Sequence, residues 1–262
     1  MPSRLSRPRA LALCALPVLA LFGTAAFAPL PFTLAQPGTT VNVLGSDQGE
    51  PVITIEDAPS RTPKGELRMT TIMATGPNAD VTVADVVDSW FRTDRAVMPH
   101  DSVYPTGGSE KQIEQHNLED MRKSQNVAVD AALNYLGKAP DSVDVTLQLA
   151  DVGGPSAGLF FSLGIIDKLS GDGSGGDLTG GRTVAGTGTI DPDGAVGAVG
   201  GVSLKTQAAR RDGATVFLVP KAECDDAEAE KPKGLRLIPV TTLKSAVSSL
   251  KALERGDKVP HC

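Results

Sequence analysis

Aromatic side chains are scarce: one tryptophan, two tyrosines and seven phenylalanines make up 4 % of 262 residues. Rings therefore cannot dominate the core, and burial falls to aliphatic and small residues. Histidine occurs only at His100, His116 and His261, and His116 has no cysteine, histidine or paired carboxylate at metal-ligand spacing around it. No metal or cofactor is expected, and His116 reads as a solvated polar residue. The phosphate loop G-x-x-x-x-G-K-[ST] is absent, which argues against ATP hydrolysis by this chain. Arg4, Arg7 and Arg9 are the only charges before Asp47, so the rest carries 22 basic against 31 acidic residues. Such a surface argues against nucleic-acid binding.

Charge is also missing from 10–35, a run of 26 residues behind the three arginines. That length suffices to span a bilayer, although Pro17, Pro29 and Pro31 interrupt it. A signal peptide cleaved after Ala26-Phe27-Ala28 is one reading, but Pro29 would hinder cleavage. The preferred reading is a retained membrane anchor, residues 10–35, with its basic end in the cytoplasm and the body outside. Cysteine is rare too. Cys14 lies in the apolar run, leaving Cys224 and Cys262 as either a disulfide in an exported domain or two unpaired thiols.

What is plentiful is glycine, 28 residues, and proline, 19, which suits many turns. Three segments are expected: an anchor or signal segment, 1–35; an N-terminal α/β segment with a long helix, 36–142; and a C-terminal domain, 143–262. After a polar lead-in over 36–50, strands are predicted at 52–55 and 66–74. A helix over 80–91 carries Trp90 inward, and 92–108 is loop-like. The longest helix covers 109–136, capped by Ser109, with an apolar stripe through Ile113, Leu118, Met121, Val129, Ala132 and Leu136, and stopped by Gly137. The glycine-rich stretch 170–177 reads as a solvated loop rather than a calcium site, despite Asp172 and Asp177. Strands at 183–190, 214–219 and 235–240 and a helix at 242–255 complete an α/β (α+β) fold of mixed strands and helices.

The chain is organised around 143–169, VDVTLQLADVGGPSAGLFFSLGIIDKL. Val143, Val145, Leu147 and Leu149 alternate as in a half-buried strand. Asp151-Val152-Gly153-Gly154-Pro155 breaks it, and 157–169 is apolar almost all round, as in a buried helix. Ser156 stands at the junction. It is either a helix N-cap or a nucleophile held beside outward-facing backbone N–H groups. A second helix, 200–213, puts Lys205 on one face with Val202, Ala208 and Ala209. Lysine there either snorkels to solvent or is buried, which favours the neutral amine a general base needs.

GPSAG at 154–158, TGTI at 187–190 and GGVSLKTQAARRDGATVFLVP at 200–220 closely resemble the proteolytic domain of Lon protease, and the likeness covers about 143–253. The resemblance implies a serine endopeptidase acting on peptides or unfolded proteins. Its dyad would be Ser156 and Lys205, with Thr187 supporting the lysine. Backbone N–H groups near Gly154 and Ala157 would meet the oxyanion. The nearest likeness is to membrane-anchored, ATP-independent Lon-like proteins, which usually carry a PDZ domain; the five residues between Gly137 and Val143 leave no room for one. The resemblance also implies a homo-oligomer, since full-size Lon is a hexamer. Gly153 departs from the pattern, standing where ATP-dependent Lon has an aspartate; Asp151 is the nearest carboxylate.

Two further readings follow from the same residues. GPSAG satisfies the G-x-S-x-G elbow of α/β-hydrolases, for which His261 would be the base. Alternatively, the domain is a catalytically degenerate interaction module.

Overall fold

The computed structural model describes residues 7–104, 110–149 and 154–262. Ser109, expected as a helix cap, and Asp151 and Gly153 of the central turn lie outside these residues. The N-terminal elements are α1 Arg7–Phe27, β1 Phe32–Asn42, β2 Ser46–Asp47, β3 Glu50–Pro51, β4 Ile53–Glu56, β5 Glu66–Ala74 and α2 Val83–Trp90. Next come β6 Ala96–Pro99, α3 His100–Val103, α4 Glu110–Tyr135, β7 Asp144–Leu147, α5 Gly158–Leu169, β8 Thr183–Gly186 and β9 Thr189–Ile190. The chain closes with β10 Val196–Gly197, α6 Val202–Arg211, β11 Val216–Pro220, α7 Cys224–Ala229, β12 Arg236–Val240 and α8 Leu243–Glu254.

Two units emerge, Met1–Ala35 with Ala74–Gly107, and Gln36–Met73 with Gly108–Cys262. This division differs from the linear one at 35/36 and 142/143. The cause is pairing distant in sequence: β5 lies parallel to β8, β4 antiparallel to β7, and α4 packs against α5.

In the smaller unit α1 stops at Phe27, ahead of Pro29 and Pro31. The helix is 21 residues long, about 32 Å, and its side chains over 11–27 are mostly exposed and apolar. Among the described residues no helix is long and apolar enough to cross a membrane. The apolar run to residue 35 is thus not one helix. Phe32–Ala35 pair antiparallel with β6, and Thr33 and Ala35 are buried. The stretch 92–108, expected as loop, contains β6 and α3. Trp90 does not point inward but is 81 % exposed. The inner face of α2 runs through Asp85, Val86 and Ser89, and Trp90, one position on, is turned about 100° away.

In the larger unit the sheet order is β12-β11-β8-β5-β1, with β12, β11, β8 and β5 mutually parallel. Its strands alternate between two cores, as the pleat requires. Val216, Leu218, Ile238 and Val240 join α5, α4 and α8 on one face. Phe217, Val219 and Leu237 meet α6 and α7 on the other. Helix α5 is buried from Gly158 to Asp167, as its apolar circumference predicts. The expected strand 183–190 is broken after Gly186 into β8 and β9. Gly188, at φ 151°, makes the break; a Cβ there would lie 3.0 Å from Val196 Cγ1. The sulfurs of Cys224 and Cys262 are 2.15 Å apart and their Cα atoms 5.3 Å, which fastens the tail beside the end of β11.

Candidate active site

Gly154 opens the central turn at φ 91°, a left-handed conformation suited to glycine. Pro155–Ala157 then form one 3₁₀ turn leading into α5, and proline fits its first position because no N–H is needed there. Side and main chains from two directions fix the turn. From α4, Asn117 O accepts the Gly154 N–H at 3.2 Å and Ser124 Oγ donates to Pro155 O at 3.0 Å. From the break after β8, Gly188 N donates to Ser156 O at 2.9 Å, and Leu159 N donates to Gly188 O at 3.1 Å. Ser156 itself is half-buried. Its side chain caps nothing: Ala157 is the N-cap of α5, and no side-chain cap bond forms there. Ser156 is therefore not the N-cap of α5.

Lys205 lies in the second turn of α6, which begins at Gly201 in a left-handed conformation. It is 3 % exposed, with Val202, Ala208 and Ala209 buried around it, so it does not snorkel. Its Nζ donates to Thr187 Oγ1 at 3.1 Å, and Thr187 Oγ1 donates in turn to Ser156 O at 3.2 Å. The single hydroxyl hydrogen of Thr187 is committed to that carbonyl, so toward the amine Thr187 is an acceptor. A neutral amine then keeps its lone pair free. Burial pulls the Lys205 pKa down to about 8, while the charge of Glu223 pulls the other way. No direct hydrogen bond joins Ser156 Oγ and Lys205 Nζ; Thr187 links the two residues.

The oxyanion donors differ from expectation at one residue. Gly154 spends its N–H on Asn117, which removes it from the set. Ser156 and Ala157 stand at the opening of the 3₁₀ turn, where backbone N–H groups lack helical partners. His261 is exposed and stays apart from this network. Arg61, Asp172 and Asp177 hydrogen-bond within the 170–177 loop. Among the described residues no group of three histidines, cysteines or carboxylates is arranged for a metal ion.

Glu223 is a residue the sequence reading missed. It follows Pro220, the last residue of β11, and its buried Oε2 has no hydrogen-bond partner. Thr187 likewise follows the end of β8. The signal was positional: sites in parallel sheets gather past the carboxyl ends of strands.

Residues 148–251 match the family pattern of the Lon protease (S16) C-terminal proteolytic domain. That segment is similar to a Lon-type proteolytic domain. A similar protein is the Archaeal Lon protease of Archaeoglobus fulgidus, 29 % identical over 147 residues, a match covering 51 % of this chain and 22 % of that protein. The chain thus spans about a fifth of the curated relative it matches. The matched segment contains Ser156, Thr187, Lys205 and Glu223 and has a mixed α/β fold.

Proposed function

We propose that the chain is an ATP-independent serine endopeptidase with a Ser156–Lys205 dyad, acting on peptides or unfolded proteins outside the cytoplasm. The observation that carries this reading is the chain of bonds from Lys205 Nζ through Thr187 Oγ1 to Ser156 O, buried at the lysine end. Ser156 Oγ attacks the scissile carbonyl. Lys205 takes the hydroxyl proton and returns it to the leaving amine. The Ser156 and Ala157 N–H groups meet the oxyanion.

The substrate class is supported by an open cavity of about 460 Å³ lined by apolar side chains such as Leu118, Met121 and Leu147 and by polar ones such as Glu50, Arg122 and Gln125. Leu118 and Met121 belong to the stretch of α4 whose Asn117 and Ser124 hold the serine turn. ATP independence rests on the missing phosphate loop. Extracytoplasmic action rests on the charge-free run behind three arginines and on the Cys224–Cys262 bridge; the α1 helix would be the membrane attachment. By analogy with Lon, a homo-oligomer is part of the reading.

Incubation of the full chain with an unfolded protein, without ATP, tests the activity. Fragments are expected from the wild type and none from Ser156→Ala. Protease accessibility of the body in intact cells tests the location separately, and a body protected from added protease would reverse that assignment.

A further inference from the structure

The smaller unit leaves two apolar surfaces uncovered, and they adjoin. One is α1, which carries no charged side chain after Arg9 and exposes Leu16, Leu19 and Phe22 among others. The second is a stripe on α2. Val83, Val87 and Trp90 recur at i, i+4 and i+7, and Phe91, the C-cap, widens the stripe. All four are exposed, Trp90 by 81 % and Phe91 by 84 %. The opposite face of α2 is committed inward: Ser89 is buried and its Oγ donates to Asp85 O, while the Asp85 carboxylate accepts the Thr82 N–H at 2.8 Å. The charges next to the stripe are paired, Asp88 with Arg95 at 3.0 Å and Arg92 with Asp94 at 2.8 Å.

The backbone fixes α2 at the C-terminal end of α1. Leu30, three residues past α1, forms a bridge with Val81, two residues before α2, and its N–H donates to Val81 O at 2.8 Å. The two helices also touch. The pairing of Phe32–Ala35 with β6, and the bond from His100 N to Pro31 O at 3.1 Å, brace the same junction. A second copy of this chain could cover one stripe, but α1 is apolar around its whole circumference, which only a lipid phase covers on every side. Tryptophan at the end of such a helix suits the boundary of that phase, because its ring is apolar and its indole N–H still seeks a polar partner.

We propose that Val83, Val87, Trp90 and Phe91 form a lipid-contact surface at the headgroup–acyl boundary, where α1 leaves the membrane. This rests on the attachment through α1 given above. The stripe is uncharged and the body acidic, so the contact is apolar and does not require anionic lipid.

Trp90 is the only tryptophan, so its fluorescence reports on this surface alone. The full chain is reconstituted with phosphatidylcholine vesicles. Flotation with the vesicles reads the attachment through α1; quenching of Trp90 by phosphatidylcholine brominated high on the acyl chain reads the stripe. The expected result is a floating chain whose Trp90 emission is blue-shifted, quenched by brominated lipid, shielded from aqueous acrylamide and unaffected by added salt. Val87→Asp combined with Phe91→Asp should cut the lipid quenching severalfold while the chain still floats. A floating wild-type chain with Trp90 open to acrylamide and unquenched by lipid would overturn the stripe and leave the α1 attachment standing. A chain that does not float overturns both. Shielding that disappears as the protein is diluted in lipid would assign a second copy to the stripe and overturn the proposal.

Discussion

Ser156 sits in a three-residue turn, half-buried, held only through its backbone, with its side chain free of capping duty. Lys205 sits in a ten-residue helix, 3 % exposed, with its amine bonded to a buried threonine. Under the proposed mechanism the difference follows from what each side must do. A nucleophile has to be reached by a peptide, so its turn is fixed from behind, by Asn117, Ser124 and Gly188. A lysine base has to lose water to become neutral near physiological pH, and a packed helix removes water where a loop does not. Thr187 joins the two because it lies at a break between strands and can face both.

Removing the serine breaks the comparison most severely. Ser156→Ala should lower kcat by roughly 10⁴-fold or more, with an unchanged circular dichroism spectrum and unfolding midpoint, since the side chain holds nothing in place. On the base side, Lys205→Met should reduce kcat/KM by about 10³-fold or more. In the wild type kcat/KM should fall tenfold per pH unit below about 8, because the protonated amine cannot accept the serine proton. A flat profile from pH 6 to 10 would remove lysine from the mechanism, and His261→Ala should leave the limb where it is.

Thr187→Val cuts the link between the sides. A loss of roughly 10- to 100-fold is expected, with the limb displaced, because the amine loses its acceptor and Ser156 O one of its donors. The mildest test is Gly158→Ala, at the first residue of α5. A Cβ there would lie 2.9 Å from Ile190 Cγ2 and 3.0 Å from Ser124 Oγ, so a destabilisation of about 1–3 kcal/mol is expected in denaturant unfolding, with a smaller effect on rate.

The comparison also separates what the sequence disclosed from what it hid. The strand–turn–helix around Ser156 and the small-residue face around Lys205 were legible because each is set by neighbours a few positions away. So was the class of the fold, since the later strands are short apolar runs separated by helical stretches. The partner of the Gly154 N–H was hidden, because Asn117 is distant in sequence and on another element. Trp90 misled for a different reason: an apolar residue at a helix end was assigned inward without fixing the phase of the helix, which Ser89 decides. That Thr187, just past β8, meets Lys205 on α6 depends on the parallel pairing of β8 with β11. Nothing local encodes that order.

Burying Lys205 has a thermodynamic sequel. With a pKa near 8 in the folded chain against 10.5 for the free side chain, the unfolded state binds the proton more tightly. Folding at pH 7 is then penalised by about 3 kcal/mol, relieved as pH rises from about 8 toward 10.5. Lys205→Met escapes that penalty, so the inactive protein should melt at a higher temperature than the active one. Any screen for yield or heat resistance would therefore favour the loss of catalysis at this position, and selection for cleavage must act continually against it.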